Sequence, residues 1–259
     1  MRRFARLARL ALPAWLALGA CAPARAGRAG VEASARTAPA AAAHGQYTHE
    51  RDVEIPMRDG VVLRAELLRP AGDGPFPVLV YRTPYGRLDG IAHDSIFVKA
   101  VRRGYAVVVQ DVRGRYASDG EFGAYRQEGR DGHDTIEWAA AQPWSDGNVG
   151  TFGLSYPAAV QWLAAIERPP HLRAMAPAMT YATPRRFFYA GGVWDNSWVG
   201  WVWQNIAPDL RRRAGVPGPS TDEEAARAWE AEGERAQRQL PLAGLPDFRG
   251  IAPWYYEWL

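Results

Sequence analysis

The tract Gly150-Thr151-Phe152-Gly153-Leu154-Ser155-Tyr156-Pro157-Ala158 carries the strongest chemical signal in the chain. A short strand runs into a sharp turn bearing a serine, and a helix starts directly behind it, which is the setting of a nucleophile elbow. Gly153 lets the backbone turn tightly beside Ser155. The turn thrusts the serine Oγ out at the carboxyl end of the strand, where ligands bind in open α/β sheets. The helix N-terminus behind it stabilises developing negative charge. Pro157 stands where the five-residue form of the motif has its second glycine. Proline fits a first helical turn, because its missing N–H would have no intrahelical partner there. Taken alone, the tract leaves Ser155 as either a nucleophile or an ordinary helix N-cap.

The elements that must position this serine can be read on either side of it. Gln46–Ile55 alternates Tyr47, His49, Arg51, Val53 and Ile55 on one face, and Val61–Leu68 alternates likewise. The Asp59-Gly60 pair between them predicts a hairpin. Val78–Tyr81 and Tyr105–Gln110 are short continuous apolar runs, as expected of strands covered on both faces. Helices are predicted at Ser95–Arg103, His133–Gln142 and Tyr156–Glu167, and a further strand at Leu172–Ala176. This strand–helix alternation implies crossover connections and a mainly parallel sheet, an α/β fold. After about Pro184 the alternation stops, and 185–259 reads as helical, with a helix start at Thr221-Asp222-Glu223-Glu224. Trp194, Trp198 and Trp201 fall at i, i+4, i+7, either an aromatic wall over a site or a packing stripe between helices.

The formal charge of +3 is concentrated at the front: Arg2, Arg3, Arg6 and Arg9 precede the first acid, Glu32, and the chain without residues 1–20 carries a net −1. No basic stripe, phosphate-binding Gly-Lys-Ser/Thr loop or zinc-spaced Cys/His set is present, which argues against nucleic acid and nucleotide partners. The basic start, the short apolar run Leu10–Ala20 and the small residues after it predict a signal peptide over 1–26 and export to the periplasm, a membrane anchor or the medium. Leu18-Gly19-Ala20-Cys21 resembles a lipobox, with Cys21 as lipidation site; Ala24-Arg25-Ala26 resembles an ordinary cleavage site. Residues 27–45, rich in Ala and Gly, read as a flexible tether. Asp111, Asp119, Glu121, Asp131 and Asp134 are expected to pair with Arg113, Arg115 and Arg130 rather than to bind a metal. No cofactor is expected.

A longer ordered set is far more specific. It comprises Ile55-Pro56-Met57-Arg58-Asp59-Gly60-Val61, Arg82-Thr83-Pro84-Tyr85-Gly86, Gly104 to Arg115, Ser118-Asp119-Gly120-Glu121, Asp131 to Trp138, Gln142 to Gly147, the serine tract and Gln161-Trp162-Leu163-Ala164-Ala165. Over about Val53–Met179 this resembles the cocaine-esterase and X-prolyl dipeptidyl-peptidase family of serine hydrolases (CocE/NonD), which includes cephalosporin acylases and α-amino-acid ester hydrolases. The resemblance implies an α/β-hydrolase domain over 46–183 with a helical cap from 184 to 259, and a small ester, amide or short peptide as substrate. It implies Ser155 as nucleophile, with two oxyanion donors: the backbone N–H of Tyr156 and the hydroxyl of Tyr85. The triad Asp and His of such enzymes follow the cap, and His44, His49, His93, His133 and His171 match none of the corresponding motifs. The expectation is therefore a truncated chain lacking those two residues. Two departures stand out: Ala158 replaces a usual glycine, and Ala178–Thr183 lacks the acid expected of a site for a substrate ammonium, although Asp195 is near.

Overall fold

The computed structural model describes residues 47–88, 91, 95–181, 183–245 and 247–259. The signal peptide, Cys21, the tether, His44 and His93 lie outside the described residues. The predicted hairpin forms from β1 (Tyr47–Pro56) and β2 (Val62–Pro70), paired antiparallel with Ile55 opposite Leu63. Its turn closes through Gly60 N–H donating to Met57 O at 2.9 Å. Strands β3 (Phe76–Thr83), β4 (Ala106–Asp111), β5 (Ser145–Leu154) and β6 (Leu172–Ala178) complete a six-stranded sheet of order β1-β2-β4-β3-β5-β6. Strand β3 pairs in parallel with β4 and β5, and β5 in parallel with β6.

All six residues of β4 are buried. Its alternation serves two cores, with Ala106 and Val108 in one and Val107 and Val109 in the other. That is why the run reads as continuously apolar. Helices α2 (Glu128–Ala140) and α3 (Tyr156–Ile166) pack on the first core, and α1 (Ile96–Val101), N-capped by Ser95, on the second.

Two sequence expectations are corrected. Helix α2 begins at Glu128, five residues before the predicted start. Gly129 and Gly132 lie inside it where α3 approaches: a Cβ on Gly132 would sit 2.6 Å from the Ala164 Cβ. The three tryptophans do not share one helix. After α4 (Pro184–Phe188), strands β7 (Tyr189–Ala190) and β8 (Val193–Trp194) form a small hairpin turned by Gly191 and Gly192, which puts Trp194 on a strand. Only Trp198 and Trp201 lie together, at the two ends of α5 (Trp198–Trp201).

A π-helical turn, Val202–Ile206, links α5 to α6 (Ala207–Ala214); α7 (Asp222–Arg238) and α8 (Trp254–Glu257) follow. Helix α7 starts with a capping box, Thr221 Oγ1 accepting from Glu224 N–H at 3.2 Å while the Glu224 carboxylate accepts from Thr221 N–H at 3.3 Å. These helices share a core with Val112, Phe122, Tyr156 and Val160, so the residue after Ser155 is embedded in the aromatic packing of the C-terminal segment.

Candidate active site

Ser155 sits between the last residue of β5 and the first of α3, with φ 63° and ψ −120°. A non-glycine residue held there stores strain of roughly 1–3 kcal/mol, persisting only where its surroundings enforce it. They do: Ser155 N–H donates to Ala178 O on β6 at 3.0 Å, and Ser155 O accepts from Ala158 and Ala159 N–H in the first turn of α3. Gly153 is the complementary requirement. A Cβ there would lie 2.5 Å from the Pro157 Cβ and 2.8 Å from its carbonyl carbon and oxygen. Ser155 itself is exposed, and Ala158 is fully buried in α3.

The side chain of Tyr156 is locked beneath the turn. Its hydroxyl donates to Glu128 Oε1 at 2.7 Å and accepts from Tyr125 N–H at 3.2 Å, and its ring stacks on Tyr125 with centroids 4.4 Å apart. Glu128 is held in turn by Arg82, 2.9 Å away, both being buried. Burial pushes the Glu128 carboxyl above its ordinary value, while the charge of Arg82 and the Tyr156 hydrogen bond act the other way. As the first residue of α3, Tyr156 has no partner for its own N–H within the helix, so the amide is available beside Ser155.

Tyr85 lies in the loop after β3, the strand next to β5, so both residues occupy the carboxyl end of the sheet. The Tyr85 hydroxyl lies beside the Ser155 side chain, and Trp201 Nε1 donates to it at 3.2 Å. Burial raises the Tyr85 phenol above its ordinary value, more than Trp201, Ser155 and Arg115 lower it; it is therefore a neutral donor at pH 7. Its loop is fixed on both sides. Tyr85 N–H donates to Thr83 Oγ1 at 3.1 Å, and the buried Arg115 donates from Nε to Pro84 O at 2.9 Å. On the far side, Arg87 donates its backbone N–H and Nη1 to Asp111, both at 2.6 Å, and its Nε to Glu66 at 2.9 Å.

Ser155, Tyr85 and the Tyr156 amide thus converge. A nucleophilic hydroxyl with two neutral donors beside it can add to a carbonyl and receive the resulting oxyanion, given a base for the serine proton. The described histidines are engaged elsewhere. His49 is 2.7 Å from Glu66, His133 accepts from Arg58 at 3.0 Å, and His171 is 2.7 Å from Glu137. His171 lies opposite Val149, six residues up an extended strand from Ser155, or about 20 Å away.

Of the five acids named from the sequence, Asp111, Asp131 and Asp134 form salt bridges, and only Asp131 does so with one of the expected arginines. Arg113 binds Asp131 and Asp59, but Asp111 pairs with Arg87, Asp134 with Arg58, and Arg115 with Asp209 at 3.5 Å. Arg87 and Glu128 escape the sequence reading, which names Arg82, Arg115 and Trp201 but not with the partners that the structure gives them. Their partners lie 21 to 116 positions away, and no local spacing marks them.

The family model described as X-Pro dipeptidyl-peptidase (S15 family) matches residues 59–255. Cocaine esterase from Rhodococcus sp. (strain MB1 Bresler) is 43% identical over 163 residues, covering 61% of this chain and 28% of the esterase. A CocE/NonD family hydrolase from Staphylococcus aureus superposes with a TM-score of 0.55 at 29% identity, over 75% of this chain and 39% of that one. An α-amino acid ester hydrolase shares the fold, with a TM-score of 0.54 at 22% identity, over 85% of this chain and 42% of its own. The chain therefore spans less than half the length of each of these relatives. These likenesses assign the sheet and helices to the α/β-hydrolase fold.

Proposed function

The chain belongs to the X-Pro dipeptidyl-peptidase (S15) family of hydrolases, and from that premise we propose that it is an exported serine hydrolase cleaving an ester or amide bond through an acyl-enzyme on Ser155. The observation that supports this best is the strained, exposed Ser155 with the Tyr85 phenol beside it. In this reading residues 46–183 carry the nucleophile and 184–259 form a cap beside it, behind a signal peptide at 1–26 and a tether at 27–45. The substrate is a small ester, an amide or a short peptide.

Ser155 Oγ attacks the acyl carbon, and its proton passes to a histidine base outside the described residues. The carbonyl electrons move onto oxygen, which accepts from Tyr156 N–H and Tyr85 Oη–H. The tetrahedral species collapses, the alcohol or amine leaves with the proton, and water repeats the sequence to release the acid and restore Ser155. Cleavage after Xaa-Pro is the second reading, supported by the description of the family that matches. Xaa-Pro p-nitroanilides against p-nitrophenyl esters separate the two.

Fluorophosphonate labelling tests the acyl-enzyme. Residues 27–259 and the same chain continued through its reading frame are compared, each with a Ser155→Ala control. Labelling and turnover are expected in the continued form alone, both abolished by the substitution. Labelling that survives Ser155→Ala removes Ser155 as nucleophile. Ser155-dependent turnover by residues 27–259 locates the base among the five histidines of this sequence. Neither labelling nor turnover in either form favours a non-catalytic surface protein. For export, mass spectrometry of native material is expected to find a lipidated Cys21 or a free Gly27 at the N-terminus; an intact Met1 on soluble cytosolic protein refutes it.

A further inference from the structure

A phenol has one proton to give and two lone pairs to receive, whereas an indole nitrogen only gives. Trp201 Nε1 donates to the Tyr85 oxygen at 3.2 Å. That bond occupies one lone pair and leaves the single Tyr85 proton for the side of the phenol that faces the Ser155 turn, where the Tyr85 ring meets the Tyr156 ring edge to face at 6.4 Å. A donor bonded to the phenol oxygen also polarises the O–H, so that it gives more strongly to a developing oxyanion.

The same indole is braced against the other half of the site. Its ring lies nearly parallel to Tyr156, with centroids 6.2 Å apart and planes at 19°, and nearly parallel to Trp258 at 6.4 Å and 16°. Helix α5, which ends at Trp201, sits close on α7: a Cβ on Gly200 would be 3.0 Å from the Trp229 ring. The π turn begins at the next residue, and π turns recur at functional sites because they re-aim a helix. Two carbonyls from that turn, Asn205 and Ile206, accept from Arg115 at 3.0 and 2.7 Å. Arg115 also holds Pro84 O, one residue before Tyr85. One buried guanidinium therefore sets the separation between the segment carrying the indole and the loop carrying the phenol.

We propose that Trp201 is a positioning residue of the oxyanion site, its indole N–H aiming the Tyr85 hydroxyl proton at Ser155 while Arg115 holds the two segments in register. The proposal rests on the acyl-enzyme reading of Ser155. Trp201→Phe keeps an aromatic ring and removes the donor. In the form of the protein that hydrolyses p-nitrophenyl acetate, kcat is expected to fall about fivefold, the worth of one ordinary hydrogen bond, with KM within about twofold. In a Tyr85→Phe background the same substitution is expected to leave kcat unchanged, because Trp201 acts through that hydroxyl. An equal loss in both backgrounds indicates packing alone and overturns the proposal, as does no loss in the wild-type background.

A readout independent of turnover uses 15N-tryptophan NMR. The Trp201 indole resonance, assigned by its disappearance in Trp201→Phe, is expected to move and to exchange faster with solvent in Tyr85→Phe. A resonance that neither moves nor exchanges faster overturns the hydrogen bond. If the wild-type protein neither labels nor hydrolyses, the acyl-enzyme reading fails, and the NMR comparison still decides whether Trp201 orients Tyr85.

Discussion

Gly153→Ala tests the geometry of the turn around Ser155. The added methyl carbon would fall 2.5 Å from the Pro157 Cβ and 2.8 Å from two of its backbone atoms, where carbon contacts are comfortable at about 3.5–4.0 Å. About 1 Å must be recovered. The obstacle is a proline ring and backbone in the first turn of α3, not the end of a flexible side chain, so the movement falls on the turn itself. Overpacking of this kind costs about 1–3 kcal/mol. Displacing a reacting atom by about 1 Å costs on the order of a hundredfold in rate. The expected outcome is a loss of about 2 kcal/mol in urea unfolding followed by tryptophan fluorescence. Fluorophosphonate labelling of the folded variant is expected to be about a hundredfold slower. Gly244→Ala serves as the control, since a Cβ there meets nothing closer than 3.5 Å. A folded Gly153→Ala protein that labels within about threefold of wild type would refute the argument that this close approach is needed to present Ser155.

Three further outcomes are expected. Tyr85→Phe removes one oxyanion donor and should lower kcat about a hundredfold, worth roughly 3 kcal/mol, with little change in KM; an unchanged kcat removes Tyr85 from the site. Burial pushes the Asp111 carboxyl up to about 6, although its hydrogen bonds and ion pair with Arg87 act against the rise. Between about pH 4 and 6 the folded state thus keeps a proton that the unfolded chain has released. Raising the pH through that window removes up to about 3 kcal/mol of stability, and subtracting the urea-stability profile of Asp111→Asn should isolate this fall; a flat difference contradicts it. Thr221→Ala breaks the capping box of α7 and should cost about 1 kcal/mol in the same unfolding assay, with no effect on labelling at Ser155.

The sheet was legible in the sequence because each signal was local. The Asp59-Gly60 turn, the continuous apolar β4 and the glycine beside Ser155 each announce a conformation through neighbouring residues. The start of α2 was missed because Gly129 and Gly132 lower helix propensity locally, while the approach of α3 that they permit is a tertiary fact. Trp194 was misplaced for the converse reason: Gly191 and Gly192 turn a hairpin inside a stretch whose tryptophan spacing imitates a helix. At the site, Ser155 and Tyr85 stood in recognisable motifs. Glu128 and Trp201 did not, and Arg115, though inside such a tract, shows no sign there of its role, since each acquires its place through a partner distant along the chain.

The guanidinium of Arg115 has a temporal consequence. Its bonds to Asn205 and Ile206 close loops of about 90 residues. Contacts of such separation carry an ordering cost met late in folding. The hairpin, the central strands and the Ser155 turn are assembled from shorter-range pieces and can be in place first. In that interval the serine would stand formed with its tyrosine loop untethered on one side. The phenol would then be fixed beside the nucleophile only once the helices dock, after the turn that carries Ser155 is built.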